Sequence, residues 1–404
     1  MGWGWWDFIF WWGWGYFCVL ERVCDIVENI YITRIHIHKV RHIEDVNIKI
    51  SSKQRKHLII TGKNGSGKTS VLLTLRNIIQ NIQDMHTGLL PDGSEAAAIT
   101  FPFSFWVSQV DADFKHLSCA YIPARRSGEN VFKIPTTIEP LLIQEKTNIR
   151  INKAKEFLQH ILNTDYKRYG AITDNDIELT SKIDNWFNTF LDTLRSIYDC
   201  KDLKLERNTK NLSFNIKLPG REPFALHEMS DGYTAFLNII MELMMRLEES
   251  DGIVDYNKSA IVMIDEIETH LHVDMQKKVL PFLTKMFPNV QFIVATHSPF
   301  VMTSLENAVV FDLETKERLE KPSFYGYDTI VESFLDTSLY SDEIKKYFAR
   351  YKELCLKERT PEENKEFVRA KAELEIRAIP SSTLYNAFHA LEKERKAAKS
   401  GTSN

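Results

Sequence analysis

Apolar residues run without a break from Ala260 to Ile264 and stop abruptly at Asp265 and Glu266. A short continuous apolar run predicts a strand buried on both faces, as in the parallel sheet of an α/β protein. Ligands of such sheets bind beyond the carboxyl ends of the strands, which is where the two acids stand. Comparable runs at residues 57–61 and 290–295 predict two more buried strands. Earlier in the chain the period is two. Ile35 and Ile37, then Val46, Ile48 and Ile50, alternate with polar positions, which predicts two antiparallel strands joined near residues 41–45. His36 and His38 share a face of the first, and with no carboxylate or cysteine partner evident nearby they read as a solvated strand face rather than a metal pair.

Elsewhere the period lengthens to that of a helix. Leu72, Leu75, Ile78, Ile79 and Ile82 predict a helix over 71–83. Ile183, Trp186, Phe187, Phe190, Leu191, Leu194 and Ile197 predict another over 176–198, the clearest part of a helical region at 137–199 interrupted at Gly170 and Asp174-Asn175. Helices are also expected over 234–248 and 273–286. Residues 85–100, with Gly88, Pro91, Asp92-Gly93 and three alanines, read as an exposed loop, followed by strands over 101–110 and 117–122. The second leads into Arg125-Arg126, equally a phosphate or partner contact and a solvated loop. A hairpin is expected from 203–207 and 212–216. Lys201, Lys204, Arg207, Lys210 and Lys217 make it basic, either a nucleic-acid edge or a charged edge that deters aggregation. The last ninety residues are charged and helical. Thr360-Pro361-Glu362-Glu363 has the cap, the proline and the acid of a helix start, and Ile379-Pro380-Ser381 precedes a final basic helix over 383–399.

Composition narrows the class. With 44% hydrophobic and 26% charged residues in 404, the chain is an ordinary globular protein large enough for a real core. A net charge of -4 gives no global basic field, so contact with DNA or RNA would need a local patch. Five scattered cysteines with no Cys-x-x-Cys point to free thiols and a reducing, cytoplasmic setting. Six of the eight tryptophans fall before residue 15. That stretch is of borderline length for a bilayer span, but Asp7 interrupts it, no positive segment precedes it, and Trp prefers the membrane interface. Residues 1–26 are therefore expected to be upstream translation rather than an anchor, with Val27 a natural start.

Gly62-Lys63-Asn64-Gly65-Ser66-Gly67-Lys68-Thr69-Ser70 stands between a predicted strand and a predicted helix, the frame a phosphate-binding P-loop demands. Its glycines let backbone N–H groups face phosphates, and the helix adds its N-terminal dipole. Lys68 supplies charge near the β- and γ-phosphates and the Thr69 hydroxyl ligates Mg²⁺. Ser230-Asp231-Gly232 stands at the start of the helix expected over 234–248, where a hydroxyl and free N–H groups can hold an anion. Thr296-His297-Ser298 ends the strand at 290–295.

In this order the four segments resemble an ABC-type P-loop ATPase head, covering residues 30 to about 312. The Met229-Ser230-Asp231-Gly232-Tyr233 form of the signature is similar to that of RecF-like and overcoming-lysogenization-defect (OLD)-like ATPases, as is Asp265-Glu266-Ile267-Glu268-Thr269-His270-Leu271-His272, with Val273 where those proteins carry proline. That branch includes the Septu, retron-linked and PARIS ATPases of bacterial phage defence. The resemblance implies an α/β P-loop head of mixed sheet plus antiparallel strands at 27–318, with a helical and hairpin insertion at about 130–225 and a helical, partner-docking region at 319–404. It further implies that Thr69 and Asp265 hold Mg²⁺, Glu266 is the general base, Lys68 and His297 engage the γ-phosphate, and Ser230, Asp231 and Gly232 act in trans on the ATP of a second subunit. Gln109 is the Q-loop candidate. The tail is too short, and lacks the Glu plus Asp-x-Asp set, for a TOPRIM nuclease, so a separate nuclease or toxin partner is expected, in a homodimer or higher oligomer. A RecF-like DNA-repair ATPase and a low-turnover scaffold holding a toxin are the alternatives; a transporter subunit fits the insertion and tail worst, and a membrane role is not expected.

Overall fold

The computed structural model describes residues 30–83, 97–100, 117–126, 133, 148–149, 152–208, 212–249, 253–335, 340–377 and 383–401. They divide into two compact units, one ending at Phe324 and one beginning at Tyr325. Gln109, the strand expected over 101–110, the N-terminal segment 1–26 and Lys210 lie outside the described residues.

The first unit opens with a hairpin, β1 (Arg34–Val40) and β2 (Ile43–Lys49), turned through Arg41 at a φ of 56°. Ile35 faces Ile48 and Ile37 faces Val46, so the period-two pattern becomes one apolar face. After β3 (His57–Thr61) comes α1 (Lys68–Gln83), and then β4 (Ala97–Thr100), which pairs with the other edge of β1. This corrects the end of the loop expected over 85–100, because the alanines at 97 and 98 are ladder positions, while residues 85–96 lie outside the described residues. The expected solvated face also gains a partner, because Asp45 Oδ1 lies 3.0 Å from His36 Nε2. Among the described residues no group of three or more His, Cys, Asp or Glu could hold a metal.

Next come β5 (Ser118–Ile122), α2 (Phe157–Thr173) and α3 (Ile177–Tyr198). Gly170 lies inside α2, contrary to expectation, and the real break is at Asp174-Asn175, where Asn175 takes a φ of 56°. The hairpin β6 (Lys204–Asn208) and β7 (Ser213–Lys217) is extended by β8 (Phe224–Ala225). Then follow α4 (Asp231–Leu247), β9 (Ala260–Ile264), α5 (Val273–Met286), β10 (Val290–Ala295), the single turn α6 (Pro299–Met302), β11 (Ala308–Asp312) and β12 (Arg318–Glu320).

The main sheet has the order β12-β11-β3-β10-β9-β5, parallel except for β12. Every residue of β3, β9, β10 and β11 is buried, as unbroken apolar runs require of strands covered on both faces. Val71, Leu72, Leu75 and Ile79 of α1 pack into one core with the hairpin and the sheet. Gln291 fastens the segment leading to β1 onto β10: its Oε1 accepts from Ile32 N–H at 2.7 Å and its Nε2 donates to Ile32 O and Lys56 O, each at 2.9 Å. α4 is buried nearly all round, and Glu242 and Arg246 pair inside it at 2.9 Å. Glu242 also accepts from the Ala154 N–H at 2.8 Å, so the pair anchors the chain that leads into α2.

The second unit is a helical bundle of α7 (Asp342–Cys355), α8 (Pro361–Arg377) and α9 (Thr383–Gly401) around Tyr351, Leu354, Phe367, Leu374 and Phe388. The expected start of α8 forms as a reciprocal cap. Thr360 Oγ1 accepts from Glu363 N–H at 3.3 Å, and Glu363 Oε2 accepts from Thr360 N–H at 3.0 Å. Among the described residues no helix is long and apolar enough to cross a membrane.

Candidate functional site

β3, β10 and β9 are neighbours in register, Ala295 opposite Ile60 and Val294 opposite Ile264, so three chain segments leave the sheet side by side. After β3, the turn runs through Gly62, Gly65 and Gly67, all at positive φ. Gly67, at a φ of 96°, is the most constrained, since a Cβ there would stand 2.7 Å from Ile43 Cδ1 of β2. The helix begins at Lys68, three residues before the sequence pattern suggested, and its first closing bond runs from Val71 N–H to Gly67 O at 2.9 Å. Lys68, Thr69 and Ser70 therefore occupy the first turn, whose N–H groups have no partner within the helix. The apolar period could not locate this start, because these residues are polar.

Lys68 is buried and its Nζ donates to Gly62 O at 2.8 Å and Lys63 O at 3.1 Å, with Ser66 Oγ at 3.5 Å. Burial pulls the ammonium below its ordinary range, and Glu266, Glu268, Asp265 and Asp312 oppose that. Lys63 is exposed and pairs with Glu314 at 3.1 Å; Asn64 and Thr69 are exposed and Ser70 is buried. Lys63, Asn64 and Ser66 line a cavity of about 660 Å³ with His42, Glu314 and Lys316.

After β9, Asp265 is 4% exposed. Burial raises its carboxyl, a hydrogen bond with Thr69 opposes this, and Oδ1 has no hydrogen-bond partner among the described residues. A buried carboxylate oxygen without a protein partner, beside a threonine hydroxyl, suits a hard divalent cation such as Mg²⁺. Glu266 is half-buried and adopts a left-handed φ of 43°. A non-glycine residue there carries roughly 1–2 kcal/mol of strain, which the surroundings must hold.

The group that holds it is Arg126. Its guanidinium is 1% exposed and donates from Nη1 to Asp265 O at 2.8 Å and Pro123 O at 3.1 Å. From Nη2 it donates to Glu266 O at 2.7 Å and Ile267 O at 3.0 Å. Burial lowers it to about 10, with Glu268, Asp265 and Glu266 opposing. Glu268 reaches the third strand end: Oε2 accepts from Thr296 Oγ1 at 2.7 Å and Oε1 from His297 N–H at 2.6 Å. Burial, and then the Lys68 charge, hold the His297 imidazole below its usual range, which favours its neutral form. Lys68, Asp265, Glu266 and His297 are thus gathered at three adjacent strand ends. Sequence reasoning left Arg126 undecided and gave Glu268 no role; the fold draws both into the turn.

The segment Ser230–Gly232 is built differently. Ser230 is the residue before α4 and makes no side-chain capping bond, while Ser230 and Asp231 are exposed. Gly232 packs against the turn after β9, where a Cβ would stand 3.0 Å from His270 O. Ser230 and Gly232 line a separate groove of about 630 Å³ with Tyr198, Tyr233, His270 and Met275. Tyr198 and Tyr233 stack there with centroids 4.0 Å apart. In the basic hairpin, Arg207 pairs with Asp165 at 2.7 Å and lies over the Tyr169 ring, and Lys217 pairs with Glu206 at 3.4 Å.

A glycine-rich turn after one strand, a carboxylate turn after the next but one and a Thr-His-Ser end between them form an arrangement of the P-loop type. Comparison with known proteins agrees. Residues 109–303 match the AAA_21 family, described as "AAA domain, putative AbiEii toxin, Type IV TA system". The chain is 26% identical over 203 residues to the "Retron Ec83 probable ATPase" of Escherichia coli, covering 46% of this chain and 36% of that protein. It is 26% identical over 238 residues to the "Retron Vc95 probable ATPase" of Vibrio cholerae serotype O1 biovar El Tor, covering 56% and 41%. With the Septu protein PtuA of Bacillus mycoides (strain KBAB4) the identity is 22% over 346 residues, covering 80% and 47%. The chain thus spans less than half the length of each of these relatives. A solved SMC head bound to the winged-helix domain of ScpA covers 73% of this chain and 100% of its own at 13% identity and a TM-score of 0.43. The chain is thus similar in sequence to the probable ATPases of two retrons and to a Septu protein.

Proposed function

We propose that the protein binds ATP with Mg²⁺ and hydrolyses it, and that this turnover controls a separate effector, a nuclease or toxin, in anti-phage defence. One observation carries the enzymatic part: Lys68, Asp265, Glu266 and His297 stand at the ends of three adjacent strands, beside a glycine cradle. Thr69 and Asp265 would hold the Mg²⁺, which supplies charge neutralisation on the phosphates. Lys68 lies within its own loop, so its ammonium can exchange two backbone carbonyls for phosphate oxygens without crossing the site. Glu266 orients and deprotonates the attacking water, and neutral His297 donates a hydrogen bond toward the γ-phosphate. Phosphoryl transfer needs positioning and charge far more than covalent chemistry, and these side chains provide both.

Ser230 and Gly232 line a groove of their own and Asp231 between them is exposed, which supports the use of all three on the nucleotide of a second subunit. Hydrolysis would then require a dimer. The relatives' names support the defence role, and the helical second unit is the proposed effector-docking region. A RecF-like DNA-stimulated ATPase is disfavoured, because two cations of the basic hairpin are already paired.

Phosphate release by the purified chain, with Lys68→Ala as the blank, tests this. Magnesium-dependent turnover in the wild type that the variant loses is the expected result. Equal rates in both would refute the site, and tight ATP binding without turnover would favour the scaffold.

A further inference from the structure

Arg126 is a buried cation that faces carbonyl oxygens rather than a carboxylate. A guanidinium carries donors in a rigid planar fork, so one side chain can fix several acceptors relative to one another. Here the fork spans Asp265 O, Glu266 O and Ile267 O, three consecutive carbonyls, from a segment 140 residues away in sequence from Glu266. Among the described residues its Nε has no partner, so the grip on this turn runs through the two terminal nitrogens. The carbonyls it gathers flank Glu266, whose backbone sits in the left-handed region. Few backbone bonds hold this turn besides: Asp265 N–H to Ile122 O at 2.9 Å, Ile267 N–H to Ala295 O at 3.3 Å and Thr269 N–H to Glu266 O at 2.9 Å.

We infer that Arg126 is a positioning residue for hydrolysis: it clamps the turn after β9 and so fixes where the Glu266 carboxylate points, without touching the nucleotide. The inference rests on the proposed hydrolytic role of Glu266. Arg126 also belongs to the strand-end segment Pro123–Arg126 rather than to the turn it grips. Displacing that segment would release the clamp while the P-loop stayed intact, so turnover can be changed without changing nucleotide capture.

Arg126→Ala removes the fork and Arg126→Lys replaces it with a single ammonium that cannot span three carbonyls. Both are expected to lower kcat by about 100-fold, the scale of an ångström-sized misplacement. Affinity for a fluorescent ATP analogue, measured without magnesium, is expected to stay within about threefold of wild type, well below one tenfold step in binding energy. Millimolar guanidinium should recover part of the kcat of Arg126→Ala, because it can enter the vacated site, and should recover none in Lys68→Ala. A structural role alone predicts matched losses of affinity, thermal stability and kcat with no recovery, and that result would overturn the inference. So would wild-type kcat in either variant. If Arg126→Ala does not fold, Arg126→Lys carries the same kcat and affinity comparison. A wild-type chain that binds ATP but never hydrolyses it would instead sink the proposed activity, and this inference with it.

Discussion

Polar groups around Asp265 face one another. Arg126 holds three successive carbonyls, Glu268 holds the His297 amide, and Lys68 rests on its own loop. Around Ser230 they face outward: the hydroxyl makes no capping bond and both Ser230 and Asp231 are exposed. Both regions begin a helix, so both present first-turn N–H groups to an anion. The difference is completeness. The strand-end half is preorganised within one chain, whereas Ser230 and Asp231 are left to solvent, as their proposed use on the nucleotide of a second subunit requires. On that proposal, chemistry that needs fixed charges belongs to the first half and control by assembly to the second.

The largest expected effect falls on the first half alone. Glu266→Gln preserves shape and removes the base, so turnover should drop by about 1000-fold, within the range for general bases. ATP should still bind, and light scattering should show the variant as a trapped nucleotide-bound dimer. Undiminished phosphate release would remove Glu266 from its role. The second half is tested by complementation. Lys68→Ala and Ser230→Arg should each be inactive alone, yet a mixture should regain roughly a quarter of wild-type turnover, since random two-fold pairing leaves one composite site intact in half the dimers. No recovery would place both halves on the same nucleotide.

Burial in the main sheet also sets an acid limit. His57, at the start of β3, packs on Phe292, and its Nδ1 accepts from the Phe292 N–H at 3.1 Å. Burial lowers its imidazole to about 4 from 6.5. A depressed pKa means the folded state binds fewer protons than the unfolded one, so stability is present above 6.5 and is lost as pH falls toward 4. The loss should be on the order of 3 kcal/mol across that window, at 1.36 kcal/mol per pKa unit. Denaturant midpoints at pH 7 and pH 4.5 measure it. His57→Asn keeps an acceptor without a titrating ring and should flatten the dependence. An equally steep profile in that variant would clear His57.

How much was legible follows from this contrast. Buried parallel strands announce themselves as unbroken apolar runs, and β3, β9 and β10 were read that way with the motifs that end them. The helix over 273–286 formed with its expected bounds. The misses are contacts made across the chain. Arg126 reads as a surface arginine until a turn 140 residues on supplies carbonyls around it. Glu268 acquires its part only when β10 lies beside β9. Ala97–Thr100 carries no period of its own and becomes a strand because β1 has a free edge. Gly170 fits inside α2 because a helical glycine costs only about 1 kcal/mol, which packing can override.

The smallest effect concerns what the strand-end half sacrifices to be ready for a cation. Asp265 is buried, its Oδ1 has no partner, and burial raises its carboxyl despite Thr69, Arg126 and Lys68. A raised pKa means the folded state binds more protons than the unfolded one, so stability falls as pH rises through the carboxylate range and the full penalty is present at pH 7. Asp265→Asn removes that charge. The metal-free variant should therefore be more stable than wild type at pH 7, by on the order of 1 kcal/mol for relief of one buried charge. The advantage should shrink below pH 4 and should reverse when Mg²⁺ and nucleotide are added, because only the wild type has the ligand to be stabilised by them. Thermal melts of both proteins, with and without Mg²⁺-ATP, read all three signs. A variant less stable than wild type in the absence of metal would mean that the Asp265 charge is already compensated within the fold, and the strand-end half would then be closed to a cation rather than prepared for one.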